Sequence, residues 1–431
     1  MITFDQVLPK VHEILKPHSD TISRIQPVIV NRDLNGRVRL IIRETMKGNS
    51  VAMAAIKTIA AELAEQLKPH SFPAGQVVLF EDDDMESLLA AAPTFPLEDI
   101  EGVYVMDRLA NESRWASIAP LSLGVPRAVF FSIKGGVGRS TAMAVLAWSL
   151  AQAGKRVLVL DLDLESPGLS SALLPAERQP AYGIADWLVE DLVDNGDAVF
   201  EDMIAISTLS HDGEIDVVPA HGRNPGEYIS KLGRVWMPKI DSDGKRESWS
   251  QRLGRLLNKL EEHLQPDVIL IDSRSGIDEV ASSCVTDLGA SLVLLFAIDG
   301  GQTWSGYQML FGHWHQAGVA REIRERLQLV GAMIPETDAA DYFSSLCEKS
   351  WDMFSNSLYD EVPPGVPMGE LFNFDNSDET APHFPWPIRW HRGFAALSSL
   401  HSHLETIDEV QVETVFGSFI KSYALCGGRI S

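Results

Sequence analysis

From Pro126 onward, short apolar runs are separated by segments with helical spacing. The runs are AVFFSI, RVLVLD, EIDVVPA, PDVILID, SLVLLFAI and LQLVGAMI. Their apolar positions do not alternate with polar ones, which is typical of strands buried on both faces of a parallel sheet covered by helices. We therefore predict an α/β fold for this part of the chain, with a doubly wound, mostly parallel sheet.

The residues before this region predict a smaller α+β domain. Apolar spacing favours a helix near Phe4 to Leu15 and a longer one from about Val51 to Leu67, with Ser50 as its candidate N-cap. Between them, QPVIVNRDLNGRVRLIIRE has the pattern of a β-hairpin with its turn at Asn35-Gly36.

Two further strands, QVVLF and GVYVM, flank an acidic run from Glu81 to Asp84. We interpret this run as a solvated loop rather than a metal site, because nothing nearby supplies ligand spacing. The stretch IAPLSLGVP is the best candidate for a linker. The predicted organisation is an amino-terminal domain over 1–117, a linker over 118–126 and a second domain over 127–431.

Composition and charge narrow the class of protein. The 431 residues are 45% hydrophobic and 22% charged, close to the globular average, and the net charge is −24. This charge argues against attraction of the whole chain to nucleic acid or anionic lipid. The three cysteines lie far apart without a CxxC pair, which argues against a disulfide framework, a zinc site or an iron–sulfur carrier. With neither a secretory signal nor an apolar run of membrane length, we expect a cytoplasmic protein.

The stretch FSIKGGVGRSTAMAVLAWSL joins a predicted strand to a helix through a glycine-rich loop. Successive backbone N–H groups and a helix amino terminus make such a loop an anion site suited to phosphate. The glycines allow tight turns, Ser140 offers a hydroxyl to Mg²⁺, and Thr141 can reach an α-phosphate. The loop departs twice from the general P-loop pattern, with Ile133 replacing a glycine and Arg139 replacing the lysine, so an ordinary strand-to-helix turn is the alternative.

Carboxylates at two other strand ends favour the phosphate site. Asp161 and Asp163 follow RVLVL, and Asp272 ends PDVILID. Ligands of open parallel sheets bind at the carboxyl ends of the strands, where acids can hold Mg²⁺ or orient an attacking water. Helix capping is the alternative for any one of these aspartates taken singly.

Together these motifs resemble the ParA/MinD branch of P-loop ATPases, within the SIMIBI class. KGGVGRST resembles its deviant Walker A loop, whose hallmark is a lysine before the paired glycines, here Lys134. VLVLDLDLESPGL is similar to its second acidic motif, VILIDSRSGI to its Walker B strand, and IDVVPA to its intervening strand. The resemblance covers roughly Arg127 to Met333 and leaves the amino-terminal domain unexplained.

The resemblance implies a dimer with Mg-ATP between two subunits. Lys134 would reach the partner's phosphates, Asp163 would position water, Asp272 and Ser140 would hold Mg²⁺, and Asp161 would support the metal shell. The nucleotide-binding residues would be Lys134, Gly135, Gly136, Val137, Gly138, Arg139, Ser140 and Thr141. We expect ATP rather than GTP, because the guanine-reading NKxD pattern is absent.

Arg139 bears most directly on activity. Arginine is planar, forked and longer than lysine, so it can neutralise phosphate but places its donors differently. We therefore predict ATP binding with slow or partner-stimulated hydrolysis, which makes the protein a molecular switch acting on an unknown protein partner. The alternative is a degenerate, non-hydrolysing scaffold subunit. A partition-like or anti-phage role rests on family analogy alone.

Two segments of the chain bear on whether it binds membranes or DNA. The tail VETVFGSFIKSYALCGGRIS has helical apolar spacing but only two basic residues, which favours docking on the protein's own core over a membrane anchor. Residues 231–259 carry eight Lys or Arg against three acids, with Trp236 and Trp249 interleaved. A weak DNA contact is one interpretation of this stretch, and a solvated helix face with core tryptophans is the other.

Overall fold

The computed structural model describes residues 2–81, 85–90, 94–108, 115–209, 212–240, 244–362, 371–394, 400–406 and 409–430. Contacts divide the chain into two compact units. The first comprises Met1–Ser117 and His313–Ala320, and the second comprises Ile118–Gly312 and Arg321–Ser431. Most of the predicted acidic loop, residues 82–84, lies outside the described residues.

The first unit contains a sheet with the order β3-β2-β1-β5-β4. Its strands are β1 Val28–Arg32, β2 Val38–Arg43, β3 Val78–Glu81, β4 Thr94–Pro96 and β5 Val103–Asp107. Its helices are α1 Val7–Leu15, α2 Ser19–Ile25, α3 Ser50–Gln66 and α4 Met85–Ala90. The mixed sheet and its helices have the α+β character that the sequence predicted.

Two local features of the first unit test the sequence analysis. The antiparallel hairpin of β1 and β2 turns at Gly36, whose φ of 75° favours glycine. The predicted cap of α3 was wrong by one residue. Asn49 caps this helix by accepting a hydrogen bond from the Ala52 N–H at 3.1 Å, and Ser50 is already the first helical residue.

In the described part of the second unit, eight strands form one sheet with the order β15-β14-β13-β6-β12-β7-β9-β8. All neighbours pair in parallel except β8 and β9. The strands are β6 Arg127–Ser132, β7 Arg156–Asp161, β8 Ala205–Ile206, β9 Glu214–Val218, β12 Val268–Asp272, β13 Leu292–Ala297, β14 Leu327–Ile334 and β15 Trp386–Arg389, while β10 Lys239–Ile240 and β11 Arg246–Glu247 form a separate ribbon. The predicted α/β fold is confirmed.

Helices cover this sheet and bury the central strands completely. Every residue of β6, β12 and β13 is buried, as their unbroken apolar runs predicted. The helices are α5 Arg139–Gln152, α6 Leu169–Leu173, α7 Ile184–Asp191, α8 Asp197–Phe200, α9 Tyr228–Val235, α10 Trp249–Leu264, α11 Glu279–Ser282, α12 Gly301–Gln316, α13 Ala320–Ile323, α14 Ala339–Ser357, α15 Leu400–Thr406 and α16 Glu409–Ile430. The last four residues of α12 group with the first unit.

The tail segment forms α16, which packs on the core of the second unit. Val412, Val415, Phe416 and Phe419 are buried there, and the Phe419 ring contacts three other aromatic rings of the core. The prediction that the tail docks on the protein's own core is therefore confirmed. None of the helices in the described part of the chain combines the length and hydropathy that a membrane crossing requires.

Candidate nucleotide-binding site

The glycine-rich loop lies at the centre of the large sheet. It leaves the end of β6, which is flanked by β13 and β12, and it leads directly into α5. Gly136 and Gly138 have φ values of 74° and 80°, a backbone conformation that side-chain-bearing residues rarely adopt. Gly138 caps α5, so the first N–H groups of this helix end beside the loop. The backbone thus has the geometry of an anion-binding loop.

The first departure from the general loop pattern, Ile133, is accommodated by a glycine on α12. A Cβ atom placed on Gly306 would lie 2.3 Å from Cγ2 of Ile133. Ile133 therefore occupies space that the missing side chain of Gly306 leaves beside the loop.

The three candidate aspartates come together at adjacent strand ends. Asp161 and Asp272 are direct register partners on the parallel strands β7 and β12. The backbone connects the same ends, because the Leu162 N–H donates to the Asp272 carbonyl at 3.0 Å. Asp163 follows two residues after Asp161 and lines the cavity in front of the loop. The sheet topology thus brings together residues that are 111 positions apart in sequence, from Asp161 to Asp272.

The second departure, Arg139, turns away from the loop surface and into this acidic group. Its guanidinium is 7% exposed, and Nε donates to Oδ1 of Asp272 at 2.6 Å. Nη1 donates to the Ser132 hydroxyl at 2.9 Å, and Nη2 makes a longer contact of 3.4 Å with Oδ2 of Asp163. Burial alone would lower the pKa of Arg139, but the charge of Asp272 and the hydrogen bond to it raise that pKa. The guanidinium is therefore a fixed positive charge inside the site.

This environment shifts the pKa values of Asp161 and Asp163. Burial, followed by the charges of Asp272 and Asp163, raises the pKa of Asp161 to about 8, although its carboxyl group accepts hydrogen bonds from the Asp163 and Gly168 N–H groups. Burial also raises the pKa of Asp163, and the neighbouring charge of Arg139 opposes that rise. Burial and the neighbouring carboxylates therefore favour the neutral form of Asp161.

The predicted magnesium ligands are already engaged by other groups of the protein. Ser140 donates its hydroxyl hydrogen to Oδ2 of Asp272 at 2.6 Å, and Oδ1 of the same carboxylate accepts from Arg139. Hydroxyl and carboxylate oxygens are suitable ligands for Mg²⁺, which also requires near-octahedral space for its waters. Within the described residues, no set of three His, Cys, Asp or Glu side chains is arranged to hold a metal ion. The donors do not fit a hydrated magnesium ion while Arg139 occupies them.

Other charged groups stand at the edge of the site. Lys134 is exposed and forms no ion pair with any residue that the structure describes. Arg274 lines the cavity while pairing with Glu165 at 2.7 Å and with Asp278 at 3.2 Å. Sequence reasoning missed Arg274, although it lies two residues after Asp272 in VILIDSRSGI, where a cation stands out among small polar residues.

A cavity of about 500 Å³ opens in front of the loop. Its second wall comes from segments that sequence reasoning did not connect with the site, namely the end of β14, the end of β15 with the residues after it, and α16. This wall contains Met333, Ile388, Arg389, Trp390, His391, Phe394 and Phe416. The stretch WPIRWHRGF is unusually rich in aromatic and basic residues, which was the available signal. The cavity thus pairs a polar, glycine-rich loop with a wall of apolar and aromatic residues that also includes Arg389 and His391.

The basic stretch 231–259 is largely neutralised within the protein. In the part of it that the structure describes, Lys231 pairs with Asp186, Lys259 with Asp197, and Lys239, Arg252 and Arg255 with Asp191. Arg252 is fully buried, as is Trp249, whose ring centroid lies 5.1 Å from that of Trp236. These contacts favour the interpretation with core tryptophans over a DNA-binding patch.

Comparison with known proteins agrees with the fold and the loop. Residues 128–303 match the family model of the CobQ/CobB/MinD/ParA nucleotide binding domain. A search of curated proteins found no match.

Solved structures similar to this chain include the septum site-determining protein MinD complexed with Mg-ADP from Pyrococcus horikoshii OT3. It is 17% identical, with a TM-score of 0.42, over 71% of this chain and 99% of that chain. A ParA family ATPase from Chlorobium tepidum TLS is 16% identical, with a TM-score of 0.43, over 68% of this chain and 98% of that chain. The pNOB8 ParA bound to nonspecific DNA is 16% identical, with a TM-score of 0.37, over 65% of this chain and 97% of that chain. The family match, together with the loop and the strand ends, shows that residues 128–303 are similar to the nucleotide-binding domain of the CobQ/CobB/MinD/ParA family.

Proposed function

We propose that this protein is an ATP-binding molecular switch that dimerises around the nucleotide and controls a protein partner. The observation that carries this proposal is that the glycine loop, Arg139 and Asp163 line one side of a cavity of about 500 Å³ and aromatic residues line the other, while Asp272 holds Arg139 in place. Such a cavity offers a triphosphate and a base two chemically distinct surfaces.

In this proposal the loop holds the phosphates through its backbone. The N–H groups from Gly135 to Thr141 point to the β- and γ-phosphates, and the amino terminus of α5 adds its dipole. The Thr141 hydroxyl contacts the α-phosphate. Lys134 is exposed at the outer edge of the loop, where its flexible side chain can meet phosphates held by a second subunit.

The apolar wall is the proposed base-binding surface. Trp390 is 41% exposed, so its ring is available for stacking, and its N–H donates to the Ile334 carbonyl at 2.8 Å, which fixes the backbone. Phe394 and Phe416 belong to the same wall, and their ring centroids lie 5.0 Å apart. Stacking of a base on an aromatic ring contributes about 1–3 kcal/mol.

Hydrolysis is proposed to be slow or partner-stimulated. Asp163, the residue assigned to position water, is in contact with Arg139, and Asp272 is bonded to the same guanidinium. A partner that draws Arg139 out of this arrangement would free both carboxylates. No step of this proposal depends on a metal ion.

The domain organisation proposed with this function assigns partner binding to residues 1–117 and nucleotide binding to 127–431, with 118–126 as the linker. The location proposed is the cytoplasm, without membrane contact. DNA contact through 231–259 is left out of the proposal, because internal acids pair with most of its described cations.

The same Arg139 contacts favour one alternative function, a scaffold subunit that binds nucleotide without cleaving it. The switch and the scaffold share the binding site and differ in turnover. A partner-stimulated phosphate release assay separates them, since only the switch releases phosphate.

Calorimetric titration of the purified protein with ATP tests nucleotide binding, the step that the switch and the scaffold share. We expect ATP to bind, GTP to bind more weakly, and Trp390→Ala to weaken ATP binding by about tenfold or more, in line with the loss of one stacking contact. Trp351→Ala is a matched control, because Trp351 lies on α14 outside the cavity. Absence of ATP binding to the wild-type protein at millimolar nucleotide would refute both functions.

A further inference from the structure

We propose that the Arg139 guanidinium is the resident cation of this site and takes the place of a divalent metal, so that the protein binds nucleotide without magnesium. This inference rests on the proposed function for its nucleotide part. Its central claim, that the acidic group already holds its cation, concerns the protein alone.

The first argument is the identity of the ligands. Arg139 is bonded to the Asp272 carboxylate, whose other oxygen accepts from Ser140. These are two of the three residues to which the family resemblance assigns the metal. A guanidinium in that place satisfies the carboxylate with directed N–H donors, and Mg²⁺ would have to displace it.

The second argument is burial. Both Asp272 and the Arg139 guanidinium are nearly inaccessible, with exposures of 1% and 7%. A buried carboxylate requires a compensating charge, and breaking a buried ion pair by removing one member is strongly destabilising. The fold itself therefore requires the arginine as the partner of Asp272, in addition to any contact that it makes with phosphate.

The third argument is the charge balance. The Arg139 guanidinium already contacts the carboxylates of both Asp163 and Asp272. A divalent ion added beside the guanidinium would meet a like charge in a poorly hydrated space, which costs more there than in water.

The chemistry of arginine supports this role over that of a phosphate ligand. Its planar fork can donate to several acceptors at once, and its charge is permanent at any physiological pH. Here the guanidinium donates to Asp272, Ser132 and Asp163, which lie on different elements. A lysine has a single ammonium group and cannot span three such acceptors in one plane.

The nucleotide-free protein provides the first test. Thermal denaturation is followed with EDTA and with millimolar Mg²⁺ for wild type, Arg139→Ala and Arg139→Lys. Arg252→Lys is the control, because Arg252 is a fully buried arginine paired with Asp191 outside the cavity. We expect Mg²⁺ to leave the Tm of wild type and of the control unchanged and to raise that of Arg139→Ala, whose uncompensated carboxylates become a metal site. A wild-type Tm that rises with Mg²⁺ as much as that of the variants would overturn the inference.

The second test is ATP binding by calorimetry under the same two conditions. Wild type should bind ATP with the same affinity in EDTA and in Mg²⁺, whereas Mg²⁺ should strengthen binding to Arg139→Lys by about tenfold. Binding to wild type only when Mg²⁺ is present would refute the inference and leave the proposed function standing. If no condition gives ATP binding, the proposed function fails and the metal response of the nucleotide-free variants alone decides the inference. If Arg139→Ala does not fold, Arg139→Lys supplies both readouts.

Discussion

At the scale of single residues, the direction of the Arg139 side chain controls the state of the catalytic candidates. An arginine and a lysine carry the same charge, yet the guanidinium here bonds to Asp272 and contacts Asp163. A shorter, compact ammonium would leave at least the Asp163 contact unmade. The substitution Arg139→Lys is therefore a change of geometry at constant charge.

We predict that Arg139→Lys increases the single-turnover rate of ATP hydrolysis by about tenfold or more, because misplaced donors cost about 10²–10³ in rate. Asp163→Ala in the same background should abolish the gain, since it removes the carboxylate assigned to position water. Rapid-quench measurement of one turnover isolates the chemical step from product release. An Arg139→Lys protein that is slower than wild type would show that the site works through arginine.

Asp161 leads to a prediction on pH. Its pKa is about 8 in the folded protein and near 3.8 when exposed, so between these values the folded state binds one more proton than the unfolded state. The contribution of Asp161 to the free energy of unfolding should therefore fall as pH rises from about 4 to about 8 and then level off. Urea denaturation across this range should show the decline, and Asp161→Asn should reduce it.

Asp216 is the control for this pH dependence. Burial, followed by the charge of Glu214, raises the pKa of Asp216 to about 6, so its contribution declines over a lower range than that of Asp161. Asp216→Asn should leave the decline between pH 6 and 8 intact. Equal slopes for wild type and Asp161→Asn in that range would contradict the assignment to Asp161.

The sequence predicted which acids meet, because each one ends or directly follows a long apolar strand and parallel strands align their ends. It did not predict where Arg139 points, because that depends on the distance from α5 to the ends of β7 and β12. The aromatic wall was missed for another reason. Trp390 and Phe416 reach the loop only through the tertiary packing of β15 and α16, which no local pattern encodes.

At the scale of elements, α12 is positioned against the loop by a small residue. Gly306 faces Ile133, and a Cβ at that point would lie 2.3 Å from Cγ2 and 3.1 Å from Cγ1 of the isoleucine. Ile133, whose atoms lie at these short distances, is β-branched and has little rotamer freedom. The pair therefore fixes how closely α12 packs beside the start of the loop.

We predict that Gly306→Ala destabilises the protein by about 1–3 kcal/mol through overpacking, despite the higher helix propensity of alanine. The double variant Ile133→Ala with Gly306→Ala should recover part of this loss, because the smaller side chain makes room. Urea denaturation of the two single variants and the double variant gives the coupling energy. Gly312→Ala, also on α12 but with open space at its Cβ position, is the control. A stabilising effect of Gly306→Ala would contradict the packing argument.

The elements themselves were predictable where hydrophobic burial dominates. Six strands follow from continuous apolar runs, because burial on both faces leaves no polar alternation. The strands β8 and β15 were not predicted. The two residues of β8 are too few to show a pattern. β15 contains Pro387, and proline normally argues against a strand because it lacks the backbone N–H. Edge positions tolerate such sequences, since β8 and β15 lie at the two ends of the sheet.

At the scale of the whole molecule, Lys134 links the site to assembly. It is exposed, and the described residues offer it no ion-pair partner. A cation of this kind at the mouth of a phosphate loop can contact phosphates bound by a second copy. The nucleotide would then bridge two subunits and lower their mutual charge repulsion.

We predict that ATP converts the protein from monomer to dimer and that Lys134→Ala prevents the conversion. Light scattering with and without ATP measures the mass directly. Lys155→Ala is a suitable control, because Lys155 is similarly exposed but lies at the other end of β7. Linkage also requires ATP affinity to rise with protein concentration. If the oligomeric state changes neither on addition of ATP nor with the Lys134 substitution, assembly is not coupled to the nucleotide.

The contribution of α16 to the cavity has a consequence for the order of synthesis. The loop is translated near residue 138, whereas Phe416 of the opposite wall is added some 280 residues later. A nascent chain can therefore fold its central strands and form the loop while one side of the cavity is still open to water. Ligand binding to ribosome-bound chains would then begin only after α16 has emerged from the ribosome.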